Sequence, residues 1–211
     1  MSHLTIALPS GERSKAFALA CLRRAGLEFG ELSDSRSLRF EFLGLTLLLV
    51  KDPDVPVYVD VGVADCGIVG KDWIIESGRD NYEPVDLGGN SYHFSLIKVA
   101  GSTARIERVA TKYPRATRAF LRQRGITADI LPLNGKIELA ALTGLADAIV
   151  DIVETGRTLK ENGLIETEVL LELSTRFIVN RAALKLKAVR LRDLIHHLDQ
   201  KSAKLTHDPT T

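Results

Sequence analysis

Apolar and polar positions along this chain change period from segment to segment, and the changes outline its elements. Residues 4–8 (LTIAL) read as a strand. Pro9 to Ser14 then read as a turn, and residues 15–26 (KAFALACLRRAG) as an amphipathic helix closed by Gly26. Strand, loop, helix is the opening of an α/β fold. Residues 35–42 and 45–50 predict a hairpin. Val55, Val57, Val59, Val61 and Val63 alternate strictly, which argues for a strand. Residues 92–100 (YHFSLIKVA) predict another strand after Leu87-Gly88-Gly89-Asn90. A strand ending at Thr111 leads into a helix, PRATRAFLRQRG, closed by Gly125. Residues 127–133 are again strand-like, as are 167–173 and 175–179. Leu184, Ala188, Leu191, Ile195 and Leu198 repeat at helical spacing and predict a long C-terminal helix with an apolar seam. The tail beyond Lys201 reads as frayed.

The stretch from Asn134 to Thr158 carries the chemistry. Ala146 to Val153 is apolar except for Asp147 and Asp151, which predicts a buried strand. It breaks into Glu154-Thr155-Gly156-Arg157-Thr158, followed by the helix-compatible LKEN. Such a strand end is a phosphate cradle: glycine lets the backbone approach, helix-start amides point outward, and two hydroxyls add donors. Carboxylates at Asp151 and Glu154 repel a bare phosphate but accept hydrogen bonds from sugar hydroxyls. The combination points to a ribose 5-phosphate. The same spacing also describes an ordinary strand, polar turn and helix cap.

Composition narrows the class. A chain of 211 residues suffices for one large or two small units with buried cores. A net charge of +1 announces neither a nucleic-acid nor a membrane partner. Cys21 and Cys66 lack metal or redox spacing and read as buried, reduced thiols of a cytoplasmic protein. There is no signal-peptide pattern and no apolar run of membrane-spanning length. Seven basic residues face one acid between 105 and 124, with Arg115, Arg118 and Arg122 on one helix face. Without interleaved aromatics this reads as a solvated or partner-facing surface rather than a nucleic-acid site. His196 and His197 are adjacent, point apart, and do not make a metal site.

The flanking residues carry a resemblance. Glu138, Gly144 to Val153 and Thr155 to Leu159 resemble the signature of the ATP phosphoribosyltransferase family, the first enzyme of histidine biosynthesis. So do Ser35-Arg36, Asp54-Val55-Pro56, Tyr58-Val59, Gly62, Ala64-Asp65, Gly67 to Asp72, Val109 to Pro114 and Phe177 to Arg181. Two places depart from the pattern. Pro9-Ser10-Gly11-Glu12-Arg13 lacks the family's lysine, and Tyr92-His93-Phe94 stands where the family commonly has Cys-Arg-Leu.

The resemblance implies an α/β fold of two domains with a cleft, like type II periplasmic binding proteins. The first, discontinuous domain would comprise 1–86 and 176–211, and the second 87–175 with the phosphoribosyl pyrophosphate loop. It implies a short helix at 55–63 in place of the alternating strand, with Pro56 in its first turn. A strand over Ala64 to Val69 and a ligand-facing turn at Gly70-Lys71-Asp72 would follow. It implies the transfer of a phosphoribosyl group from phosphoribosyl pyrophosphate to N1 of the ATP adenine, with release of pyrophosphate. Thr155, Gly156, Arg157 and Thr158 would hold the 5-phosphate, and Asp151 and Glu154 the ribose hydroxyls. Arg13 and Arg36 would act on the leaving group, and Lys51, Gly67, Gly70 and Lys71 would bind ATP. Magnesium would arrive on the polyphosphates, without dedicated protein ligands. The chain length matches the family's short form, which implies a homodimer associated with a regulatory subunit resembling histidyl-tRNA synthetase. The alternative on the same fold is a binding module without chemistry.

Overall fold

The computed structural model describes residues 3–32 and 37–202. The chain divides into two compact units, residues 1–89 with 174–211, and residues 90–173.

In unit 1, β1 (Leu4–Pro9) lies between two parallel partners, β3 (Leu45–Val50) and β4 (Cys66–Gly70). β2 (Arg39–Phe42) folds back on β3, and β4 pairs antiparallel with residues 175–179 of β9 (Leu164–Val179). Strand alternation sorts the two faces of this sheet. Leu4, Ile6 and Leu8 of β1, with Phe177 and Val179 of β9, pack against α1 (Glu12–Arg24) and α8 (Ala188–Ser202). Ala7 and Ile178 face the other way, onto α2 (Val55–Asp60) and α3 (Lys71–Ser77).

The valine run is therefore a helix. Valines at every second position include an i, i+4 pair, and Val55 and Val59 are the two that are buried, while Val61 and Val63 are exposed. A 3-10 turn at Asp52–Asp54 leads in, and Pro56 occupies the first turn, where its missing N–H costs nothing. α1 begins three residues before its predicted start. Gly11 is its cap, so Arg13 and Ser14 belong to the helix and not to a turn. The expected turn at Gly70-Lys71-Asp72 is absent too: Gly70 ends β4 and caps α3 directly.

The C-terminal segment is two helices. α7 (Arg181–Leu186) is capped by Asn180, whose side chain accepts from Ala183 N at 2.8 Å, and it breaks at Lys187 before α8. Lys187 turns inward to Asp65 at 2.7 Å, and Asp65 also accepts from Thr5 N at 2.7 Å. The apolar seam is covered within the unit: Leu191, Leu194 and Leu198 are buried in the core beneath α8. Cys21 and Cys66 are both buried free thiols, and burial pushes Cys21 up to about 11 and Cys66 higher still.

In unit 2, β6 (Arg108–Thr111) lies between β7 (Asp129–Pro132) and β8 (Ala148–Val153), all parallel. β8 pairs antiparallel with β5 (Tyr82–Val99), and β9 lies next to β5. α4 (Pro114–Gln123) buries Ala116, Thr117, Phe120 and Leu121 and leaves Arg118 and Arg122 exposed, as a solvated basic face. Phe94 packs edge-on against Tyr113 and Phe120, with ring centroids 4.9 and 5.4 Å away. On the opposite face Ile97, Ile149 and Val153 pack with α5 (Glu138–Leu142) and α6 (Arg157–Glu161).

Residues 167–173 and 175–179, expected as two strands, are one, and the strand expected at 92–100 starts ten residues earlier. β5 runs unbroken through Gly88 and Gly89, whose positive φ values of 63° and 93° absorb the local irregularity. β9 runs through Ser174, where nothing in the sequence stops it. Both strands begin in one unit and end in the other.

Candidate active site

Ligand sites in α/β sheets form beyond the carboxyl ends of parallel strands. In unit 2 that end of β8 opens onto a cavity of about 210 Å³. It is lined by Asp151, Glu154, Thr155, Gly156, Arg157 and Thr158, all six of the predicted phosphoribosyl residues, over a floor of Ile97, Ile137, Ile149, Val153 and Leu159. Gly156 stands at φ +65°, the left-handed region that a side chain strains to enter, and starts α6. α6 has only five residues, so individual amides and hydroxyls, not a summed helix dipole, supply the attraction for an anion. The Thr155 hydroxyl accepts from Arg157 N at 3.5 Å and braces the turn. Arg157 forms an exposed ion pair with Glu161 at 2.8 Å, an interaction of small net worth that a phosphate could displace.

Asp151 is the buried acid of the group. Its side chain is 13% exposed and lies 3.3 Å from Lys112 Nζ. Burial raises its carboxyl above the usual aspartate range, while Lys112 and the Ile152 amide oppose the rise and the Glu138 charge adds to it. A polar knot aims Lys112. Buried Thr111 donates to Val150 O at 2.7 Å and accepts from Tyr113 N and the Thr117 hydroxyl, fixing the backbone on both sides. Asp147 ties the other end of the strands together by accepting from the Glu107 and Arg108 amides, which hold its carboxyl below the usual range.

Glu138 was not among the predicted site residues. It opens α5, lines the same cavity, and its buried Oε2 has no hydrogen-bond partner among the described residues. The available signal was its place in the family-like segment; spacing alone could not connect it to Asp151.

The predicted ATP and leaving-group residues lie in unit 1. Ser10 N donates to Val50 O at 2.7 Å, which brings the loop after β1 beside the loop after β3. Lys51 therefore lies near the start of α1, where Gly11 is the cap and Arg13 is in the first turn, and Lys51 and Arg13 are both exposed beyond the carboxyl ends of parallel strands. Gly70 ends β4 and Lys71 follows it, at the same end of the sheet. Lys71 is engaged: its ammonium donates to both oxygens of Glu83 at 2.7 Å. At Gly67 packing by itself requires a glycine. A Cβ there would meet Ala7 O and Val55 Cγ1, both at 2.9 Å, so its lack of a side chain serves the packing of β4 against β1 and α2. Ser35 and Arg36 lie outside the described residues. Among the described residues no group of three His, Cys, Asp or Glu side chains is placed to hold a metal ion. No helix among them is long and apolar enough to cross a membrane.

These features define a two-unit α/β protein whose second unit carries a polar cavity opened by a glycine at the end of β8. The same fold occurs in Tv2483 bound to L-arginine, with a TM-score of 0.60 and 15% identity over 98% of this chain and 86% of that one. The chain belongs to the ATP phosphoribosyltransferase family, whose model matches residues 51–200. An ATP phosphoribosyltransferase from Deinococcus deserti is 57% identical over 93% of this chain and 91% of its own length. One from Thermus thermophilus is 50% identical over 94% and 97%. The structure matches a chain of the ATP phosphoribosyl transferase (HisG:HisZ) complex from Thermotoga maritima with a TM-score of 0.84 and 31% identity, covering 97% of this chain and all of that one.

Proposed function

We propose that this chain is a catalytic ATP phosphoribosyltransferase, joining C1 of phosphoribosyl pyrophosphate to N1 of the ATP adenine at the first step of histidine biosynthesis. The observation that carries the reading is the unit 2 cavity, where a glycine-opened phosphate cradle and three carboxylates share one lining. The N1 lone pair forms the new bond to C1. The C1–O bond breaks, and pyrophosphate departs with its electron pair. Cation-like charge develops on the sugar and negative charge on the leaving group, so the protein must fix the ribose and compensate the pyrophosphate.

The Thr155–Thr158 amides and hydroxyls and Arg157 hold the 5-phosphate. Asp151 and Glu154 accept from the ribose hydroxyls. Glu138 joins them, because its buried oxygen, without a hydrogen-bond partner among the described residues, gains one there. Arg13 and Arg36 meet the pyrophosphate, each able to donate bidentately. Lys51, Gly70 and Lys71 serve the ATP side, with Lys71 exchanging or sharing its contact with Glu83. Magnesium enters as part of the polyphosphate substrates. No general base is required, since the attacking nitrogen already presents a lone pair.

Release of pyrophosphate from ATP and phosphoribosyl pyrophosphate tests the reading. Binding of both compounds without release would instead make the chain a binding module.

The chain works in the cytoplasm as a homodimer and assembles with a separate regulatory subunit. Its similarity to a chain taken from a two-component complex supports the association with a second subunit. Its C-terminal seam does not, being already buried within unit 1. Light scattering with and without the regulatory subunit tests the assembly. A monomer that ignores that subunit would refute it.

A further inference from the structure

Beside the cavity lies a cluster that the proposed chemistry does not use. Ser95 and His93 of β5 stand directly opposite Asp151 and Val153 of β8, so their side chains share the sheet face that floors the cavity. Glu166 reaches the same face from β9. Its Oε2 accepts from the Ser95 hydroxyl at 2.5 Å and from His93 Nε2 at 2.6 Å. Ser95 is fully buried, and the side chains of His93 and Glu166 are 20% and 30% exposed. Two short charge-assisted bonds therefore fix one carboxylate oxygen. The other, Oε1, stands 3.5 Å from the position a Cβ would take at Gly156, on the side of that glycine where a side chain would project.

We propose that Glu166, held by Ser95 and His93, is a positioning residue that backs the glycine of the phosphate cradle. The proposal rests on the phosphoribosyl reading of that cradle. Gly156 needs such a stop. Glycine reaches φ +65° without strain but is equally free to leave it, and among the described residues beyond its chain neighbours the other group within 4 Å of the Cβ position is Val153 Cγ1 at 3.9 Å. A wall on this side keeps the Gly156–Leu159 amides aimed into the cavity before any anion arrives. A bare carboxylate here would repel a phosphate, and the His93 and Ser95 donors draw its charge away from the cradle. The departure at Tyr92-His93-Phe94 thus has a place in the structure: His93 is the residue that clamps Glu166.

Amide hydrogen exchange of the peptide spanning Thr155–Leu159, measured without ligand, tests the mechanical link directly. Glu166→Ala is expected to speed exchange there by about fivefold or more, a local opening with the rest of unit 2 unchanged. Ser95→Ala, a conservative change that removes one of the two clamping bonds, is expected to give a smaller increase in the same peptide. Glu166→Gln keeps the shape and the Ser95 bond and is expected to restore near-normal exchange. In kinetics, Glu166→Ala is expected to raise KM for phosphoribosyl pyrophosphate several-fold, with kcat and the KM for ATP unchanged. Unaltered exchange in both alanine variants would overturn the proposal, as would an equal defect in Glu166→Gln. Wild-type protein that fails to bind phosphoribosyl pyrophosphate in a calorimeter would overturn the substrate reading, whatever the exchange results.

Discussion

Adding a single methyl at Gly67 separates a packing role from a ligand role. An alanine Cβ there would lie 2.9 Å from Ala7 O, 2.9 Å from Val55 Cγ1 and 3.1 Å from Val59 Cγ2. Two of these are closer than real Cβ contacts come, and one is a backbone carbonyl in β1, the central strand of three, which cannot swing aside. Overpacking of this kind costs about 1–3 kcal/mol, and the backbone contact places Gly67→Ala at the upper end. For a chain of this size each kcal/mol lowers the melting midpoint by roughly 2–4 °C, giving a fall of about 4–12 °C. Trp73 is the single tryptophan and packs on the same Ala7, Val55, Val59 cluster, so its emission reports the affected packing. Trimming Val55 to alanine in the same chain removes one of the two hard contacts. The double variant is expected to be more stable than the sum of the single losses. A Gly67→Ala protein with an unchanged Trp73 midpoint but weakened ATP binding would refute the packing argument and return Gly67 to the ligand site.

Gly156→Val forces a β-branched residue into the left-handed region, and is expected to abolish calorimetric binding of phosphoribosyl pyrophosphate in a chain that still folds. Arg13→Ala is expected to lower turnover by about 10²-fold, as loss of a transition-state donor does, with steady-state pyrophosphate release as the measure. Asp151→Asn carries a pH signature. Burial raises the native carboxyl above its ordinary 3.8, so the native state holds the proton longer than the unfolded chain, and wild-type stability falls as pH rises through that window. The variant lacks this penalty: its midpoint is expected to match wild type in acid and exceed it at neutral pH, while phosphoribosyl pyrophosphate binding is lost. A stability gap that widens toward low pH would contradict the sign.

Much of the fold was legible because period and punctuation agreed. β1, β6, β8 and α4 follow their apolar patterns, and Gly26 and Gly125 lie just past their helices at φ 85° and 65°. The failures have physical causes. Valine alternation at 55–63 satisfies a strand and, through every second valine, a helix face as well; burial of Val55 and Val59 decides between them. Ser174 and the Gly88-Gly89 pair look like strand ends, but neighbouring strands supply partners that carry β9 and β5 through. The break at Lys187 is invisible in the seam, because it depends on Asp65, distant in sequence. In the candidate site, the cradle could be read directly as strand, glycine and hydroxyls. Glu138 could not: an acid at the start of a short apolar helix looks like an ordinary first-turn charge until the fold sets it beside Asp151.

β9 also sets an order of assembly during synthesis. Unit 2 is one continuous stretch of chain and can close as soon as its last residues leave the ribosome. Unit 1 cannot. Its β4 emerges early, yet the strand that covers its open edge, residues 175–179, follows only after all of unit 2, and Leu191, Leu194 and Leu198 follow later still. For that interval the nascent chain carries an unpaired parallel edge and an incomplete core. Such a segment is a natural client for a chaperone, and slow translation downstream of β4 prolongs its exposure.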